Sequence, residues 1–173
     1  MGAAFNFYTM TNRKKILFTF FSAMVFNAVT AQPRQGMLAQ EIALPSVNGD
    51  TIRLSSLKGK VVLLDFWASW CLPCRATNRK LVKIYPKYKE KGFEIFSVSL
   101  DTELKNWKNA LDKDKIKWLT VIDPRGWDAL TAIHWNISAL PTSFLIDKEG
   151  TLIAMDLEGK ELEKALKYLL EDN

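Results

Sequence analysis

The stretch Val61-Val62-Leu63-Leu64-Asp65-Phe66-Trp67-Ala68-Ser69-Trp70-Cys71-Leu72-Pro73-Cys74 constrains this chain more than any other. An apolar run broken by one acid and followed by aromatics reads as a buried strand that delivers two cysteines to the start of a helix. With two residues between them, both sulfurs fit on the first helical turn within bonding reach. The pair can therefore close as a disulfide or open as a dithiol with little backbone movement. At a helix N-terminus, unpaired N–H groups and the helix dipole favour negative charge, which lowers the pKa of Cys71. Cys71 is the expected nucleophile. Cys74, one turn further in and better shielded, is expected to resolve a mixed disulfide by attacking Cys71. Pro73 suits a first turn, where its missing N–H costs nothing.

Other uses of this spacing fit less well. A structural zinc site takes four Cys or His ligands, and the chain offers two cysteines and the distant His134. Covalent haem attachment needs His directly after the second cysteine, where Arg75 stands. A purely structural disulfide over so short a loop restrains the unfolded chain little. Neither a metal nor another cofactor is expected.

Residues 1–31 read as a secretory signal peptide. Arg13-Lys14-Lys15 form a basic region, Ile16 to Val29 an apolar stretch, and Val29-Thr30-Ala31 a small-residue cleavage site. An uncleaved membrane anchor is the alternative, although the stretch falls short of the ~20 residues that span a bilayer. Met10, just before the basic cluster, is a candidate start of translation. Three of the 24 basic residues lie in this leader, so residues 32–173 hold 21 against 19 acids. That near-neutral balance, with no long basic run, argues against nucleic acid as a partner. The implied destination is extracytoplasmic, periplasmic in an organism that has that space, and it permits disulfides.

Residues 32–40, polar with Pro33 and Gly36, are expected to form a linker or disordered tail, and 41–173 a single domain. Ile42–Leu44 and Ile52–Leu54 flank Asn48-Gly49-Asp50 as a hairpin. A helix is expected after Cys74 through Leu81, Ile84, Tyr85 and Tyr88, kinked or ended near Pro86. A second buried strand should cover Phe93 to Leu100. A helix from Thr102 to Leu111 would place Leu104, Trp107 and Leu111 on one face, with Asp112-Lys113-Asp114-Lys115 as its solvated end. Trp118 to Ile122 reads as a strand, Asp123-Pro124-Arg125-Gly126 as a turn, and Trp127 to His134 as a helix. Ser143–Ile146 and Thr151–Met155 form a hairpin, and Lys160 to Leu170 a final helix. Strands alternating with helices and closing in a hairpin imply an α/β fold with a mixed parallel and antiparallel sheet.

Residues 40–171 resemble the thioredoxin fold, on VVLLDFWASWCLPC, the later ALPTSFLID and the final hairpin and helix. The hairpin at 42–54, the FSVSLD strand end and the inserted helix-strand segment at 102–122 are similar to the TlpA/ResA branch of exported thiol:disulfide oxidoreductases. The resemblance implies a mixed central sheet flanked by helices, with an N-terminal β-hairpin. It also implies a cis-proline at Pro141 opposite the dithiol, preceded by Leu140, whose backbone meets an extended substrate. Asp65 matches the buried acid that accepts a proton for the second cysteine. A carboxyl on an apolar strand has a raised pKa, which suits that task near neutral pH. A solvent-facing Asp65 at a strand edge is the alternative. The chain departs from the family at Arg79, where a kinking proline is common, and at Thr77, where exported relatives often carry an acid.

Trp70, Leu72, Pro73, Leu140, Pro141 and Thr142 are the expected substrate-contacting residues. Trp107, Trp118, Trp127 and Trp135 are expected in the core and its rim, and His134 as a structural residue. The expected activity is thiol:disulfide exchange, in the reducing direction, on disulfide- or dithiol-containing cell-envelope proteins. The enzyme would act as a monomer, re-reduced by a membrane thiol donor. Two further readings carry the same fold: a peroxiredoxin-like thiol peroxidase, whose Pro-x-x-x-Thr-x-x-Cys setting is absent here, and a non-catalytic binding module.

Overall fold

The computed structural model describes residues 33–171, so the expected leader lies outside the described residues. The strand β3 (Val61–Trp67) is buried along its whole length because both faces of the sheet are covered. It lies at the centre of a five-stranded sheet. On one side it pairs in parallel with β4 (Phe93–Ser99), which pairs in parallel with β5 (Leu119–Ile122). On the other it pairs antiparallel with β6 (Thr142–Ile146), which turns back into β7 (Leu152–Met155). The mixed sheet expected from the order of elements is present, and β1 (Ala43–Pro45) and β2 (Thr51–Arg53) form the separate N-terminal hairpin.

Alternation along β3 sorts the core into layers. Val62, Leu64 and Phe66 pack with Phe96, Val98, Phe144 and Trp135 on the face that carries the hairpin and the short helix α3 (Leu130–His134). Val61 and Leu63 point the other way, under α1 (Leu72–Tyr88) and α4 (Gly159–Glu171). Further up that face Trp67 meets Cys71, Cys74 and Trp107 of α2 (Leu104–Asp114). The dithiol thus stands at the carboxyl end of the central strand, with its helix lying on the sheet.

Helix α1 does end near Pro86, as expected: it stops two residues later, the missing N–H in the last turn removes a single bond, and the chain passes through a 3₁₀ turn to Gly92. Several other boundaries differ from the expectation. Helix α2 continues to Asp114, and its buried face is Trp107, Ala110, Leu111 and Asp114; Leu104, a turn ahead of that face, is exposed. Only Leu130–His134 of the helix expected from Trp127 is α-helical, after a 3₁₀ turn at Gly126–Asp128. Within the stretch expected to be a linker, residues 36–39 run along β7: Gly36 N–H donates to the Leu152 carbonyl, Leu152 N–H to that of Met37, and Ala39 N–H to that of Gly150, each at 2.8 Å. An uncovered edge strand presents unpaired backbone groups, and this segment pairs those of Leu152 at the start of β7.

Candidate active site

Cys71 is the N-cap of α1. Its backbone is extended while the following residues are helical, and its Sγ accepts a hydrogen bond from Cys74 N–H at 3.2 Å, as a serine oxygen would. The first turn of α1 holds no acid, so a Cys71 thiolate would meet the positive end of the dipole without competition. Pro73 occupies that turn. The two sulfurs are joined as a disulfide, with Cα atoms 5.3 Å apart. Cys71 is 5% exposed and Cys74 1%, which matches the expected order of access. Trp70 and Leu72, on either side of Cys71, are exposed.

The Leu140–Pro141 peptide bond is cis, as the resemblance implied. Leu140 packs against the cluster that contains both cysteines, and Thr142 Oγ1 donates to the Ala139 carbonyl across the turn at 2.8 Å. The structure therefore gathers Cys71, Cys74, Trp70, Leu72 and Leu140 at one end of β3.

Asp65 faces the interior of the sheet on a central strand, not solvent at an edge. Its register partners are Ser97 of β4 and Ser143 of β6. Ser97 Oγ lies 3.4 Å from Asp65 Oδ2 and accepts the Trp118 indole N–H at 2.7 Å. Burial pushes the Asp65 carboxyl up to about 7; the Ser97 hydroxyl opposes this, while Asp156 and Glu158 add to it. A cleft of about 70 Å³ is lined by Asp65, Thr77, Lys80, Pro141, Asp156 and Glu158 among others. Thr77 donates to Glu158, which also pairs with Lys80 at 2.8 Å.

A second set of groups, not foreseen from the sequence, holds the loop that presents Cys71. Asp101, buried just past β4, accepts hydrogen bonds from Ser69 N–H (2.9 Å), the Ser69 hydroxyl (2.6 Å) and the Ser99 hydroxyl (2.7 Å). Arg75 donates to the Ser69 carbonyl at 3.2 Å and forms a two-pronged ion pair with Asp114. Asp114 is therefore buried and paired rather than part of a solvated helix end. The only available signal was two acids at element ends, a pattern that fits solvent-facing caps equally well.

This arrangement can transfer two electrons. One sulfur caps a helix, a second is bonded to it, and a carboxyl that burial pushes up to about 7 lies on the central strand that leads to them. The Redoxin family model matches residues 34–170. The thiol-disulfide oxidoreductase ResA of Bacillus thuringiensis subsp. konkukian is 35% identical over 136 residues, covering 79% of this chain and 76% of that protein. ResA of Bacillus subtilis is 33% identical over 132 residues, 75% of this chain and 72% of its own. The thioredoxin domain of a thiol-disulfide oxidoreductase from Bacteroides vulgatus superposes with a TM-score of 0.75 at 32% identity, over 80% of this chain and 99% of that one. With a dithiol seated as that chemistry requires and relatives of this kind along most of its length, the chain belongs to the Redoxin family as a ResA-like thiol:disulfide oxidoreductase.

Proposed function

We propose that this enzyme is exported and reduces disulfides in cell-envelope proteins, with Cys71 as nucleophile, Cys74 as resolving thiol and Asp65 as the proton acceptor. In the first step the Cys71 thiolate attacks one sulfur of the target disulfide. A Cys71–target disulfide forms and the other target sulfur leaves as a thiolate. In the second step Cys74 loses its proton and attacks Cys71 Sγ, which frees the second target thiolate and leaves the Cys71–Cys74 disulfide. The dithiol has then given two electrons to the target, and a membrane thiol donor would restore it. Trp70, Leu72, Pro73, Leu140, Pro141 and Thr142 would form the surface that the target meets.

The observation that carries this reading is the placement of Cys71 Sγ as the cap of α1, with Cys74 N–H donating to it and Cys74 more deeply buried. Asp65 is suited to the resolving step: a buried thiol resists ionisation, and a carboxyl that burial pushes up to about 7 is matched to take its proton, or to return it when exchange runs the other way. The cleft beside Pro141 gives that carboxyl a route to solvent. Export is supported by the basic cluster Arg13-Lys14-Lys15 and the apolar stretch after it. Among the described residues no helix is long and apolar enough to cross a membrane.

The test is insulin reduction with a dithiol donor. Cys71→Ser should abolish it, and full activity in that variant would overturn the assignment. Cys74→Ser should accumulate mixed disulfides with envelope proteins, identified by mass spectrometry after non-reducing electrophoresis. N-terminal sequencing of the exported protein should start at Gln32.

A further inference from the structure

The six tryptophans fall into two groups. Trp67, Trp107, Trp118 and Trp135 are buried, whereas Trp70 is 54% exposed and Trp127 47%. The two exposed rings touch, with centroids 6.3 Å apart and planes inclined at 51°. One of them immediately precedes Cys71. Leu130 and Ile133 of α3, three and six residues beyond Trp127, are both at least half exposed, and their three-residue spacing puts them on one side of that helix. Leu72, just after Cys71, is exposed as well. The nearby cation is turned away: Arg125 folds back on the buried Asp123 through two hydrogen bonds of 3.2 Å.

The platform under Trp127 is fixed. Gly126 adopts φ +59°, and a Cβ there would come within 3.2 Å of the Thr102 side chain, so the turn is pressed against the residues that follow β4. Trp127 is therefore held out beside Trp70 although this fold buries four other indoles. Scattered exposed apolar residues need no explanation, but two exposed indoles in contact beside Cys71, with two more large apolar residues next along the chain, do.

We propose that Trp127 and the outer side of α3 extend the docking surface of the dithiol, and that the partner is a protein whose segment around the reacting cysteine carries large apolar side chains. The proposal rests on the disulfide-exchange reading. A target sulfur must reach Cys71 Sγ, so any bound segment lies against Trp70, and the ring contact of Trp70 leads on to Trp127. Indoles supply large contact area for the loss of few rotors and dominate the energetics of interfaces. Two in contact select for an apolar or aromatic residue, because a polar one would lose its water without gaining a partner.

The experiment uses the reduced full chain and two synthetic peptides, each with one disulfide, flanked by Phe and Leu in one and by Ser and Asn in the other. 5,5′-Dithiobis(2-nitrobenzoate) serves as a small disulfide. The wild type should reduce the Phe/Leu peptide with a second-order rate constant about tenfold above the other. Trp127→Ala should bring the ratio to within about twofold, and Trp127→Phe should largely restore it. Ile133→Ser, on α3, should lower it about threefold and serves if Trp127→Ala fails to fold. Equal rates for the two peptides in the wild type, or a ratio untouched by these changes, would overturn the proposal. A wild type inert toward all three disulfides would overturn the exchange chemistry itself, and this surface with it.

Discussion

Asp65 shows most directly how one residue ties function to stability. Burial pushes its carboxyl up to about 7 in the folded chain, against 3.8 for an ordinary aspartate. Between those pH values the folded state holds a proton that the unfolded state has released, so stability falls as pH rises and levels off above the folded value. At pH 8.5 the folded state therefore carries the full cost of a buried carboxylate. Guanidinium unfolding of the oxidised protein should therefore show Asp65→Asn more stable than the wild type at pH 8.5, with the two converging as pH falls toward 4. Parallel curves would mean that Asp65 ionises in the native state as easily as in the unfolded one. The same substitution should flatten the rise of insulin reduction through pH 7. This residue was legible in advance because an acid inside an apolar strand has few bland explanations. Ser97 was not: a serine on a strand gives no sign that it faces inward to meet both Asp65 and the Trp118 indole.

At the scale of elements, the loop between β3 and α1 is held by groups from two neighbours. Asp101 holds Ser69 from the end of β4, and Asp114 holds Arg75 from the end of α2. Arg75→Ala would leave a buried carboxylate with Asn78 Nδ2 at 3.3 Å as its remaining side-chain donor. Uncompensated buried charge costs about 3–5 kcal/mol, so the urea midpoint should fall by a corresponding amount, and far less in Arg75→Lys. Asp101→Ala strips the partner from one amide and two hydroxyls, an expected loss of about 2–4 kcal/mol by the same assay, together with slower exchange at Cys71. The sequence pattern located α1 and α4 because their apolar residues recur at helical spacing. It missed the exposure of Leu104 and the short extent of α3, since periodicity marks a face but not what lies opposite it. The two acids could not be assigned because their partners are distant along the chain.

For the molecule as a whole, the order β5-β4-β3-β6-β7 puts the dithiol at the end of the middle strand and leaves β7 at an edge. Residues 36–39 cover the start of that edge, at Leu152 and the turn before it. Deleting residues 34–39 should lower stability by about 1–3 kcal/mol in urea unfolding, for the loss of several backbone hydrogen bonds. It should also promote self-association, visible by light scattering, as β7 becomes an open template. The fold was legible because its motifs fall at strand ends in a fixed order. The edge cover was not, because a polar segment with Pro33 and Gly36 has no period to read. The proposed division of labour between the two sulfurs is tested by the reactivity of each. The fully reduced protein should be alkylated with limiting iodoacetamide across pH 5–10 and the labelled cysteine identified by mass spectrometry. The account predicts that Cys71 is modified first, with a midpoint well below the ordinary thiol value near 8.5, while Cys74 stays unmodified until far higher pH. Equal labelling of the two, or Cys74 reacting first, would contradict it.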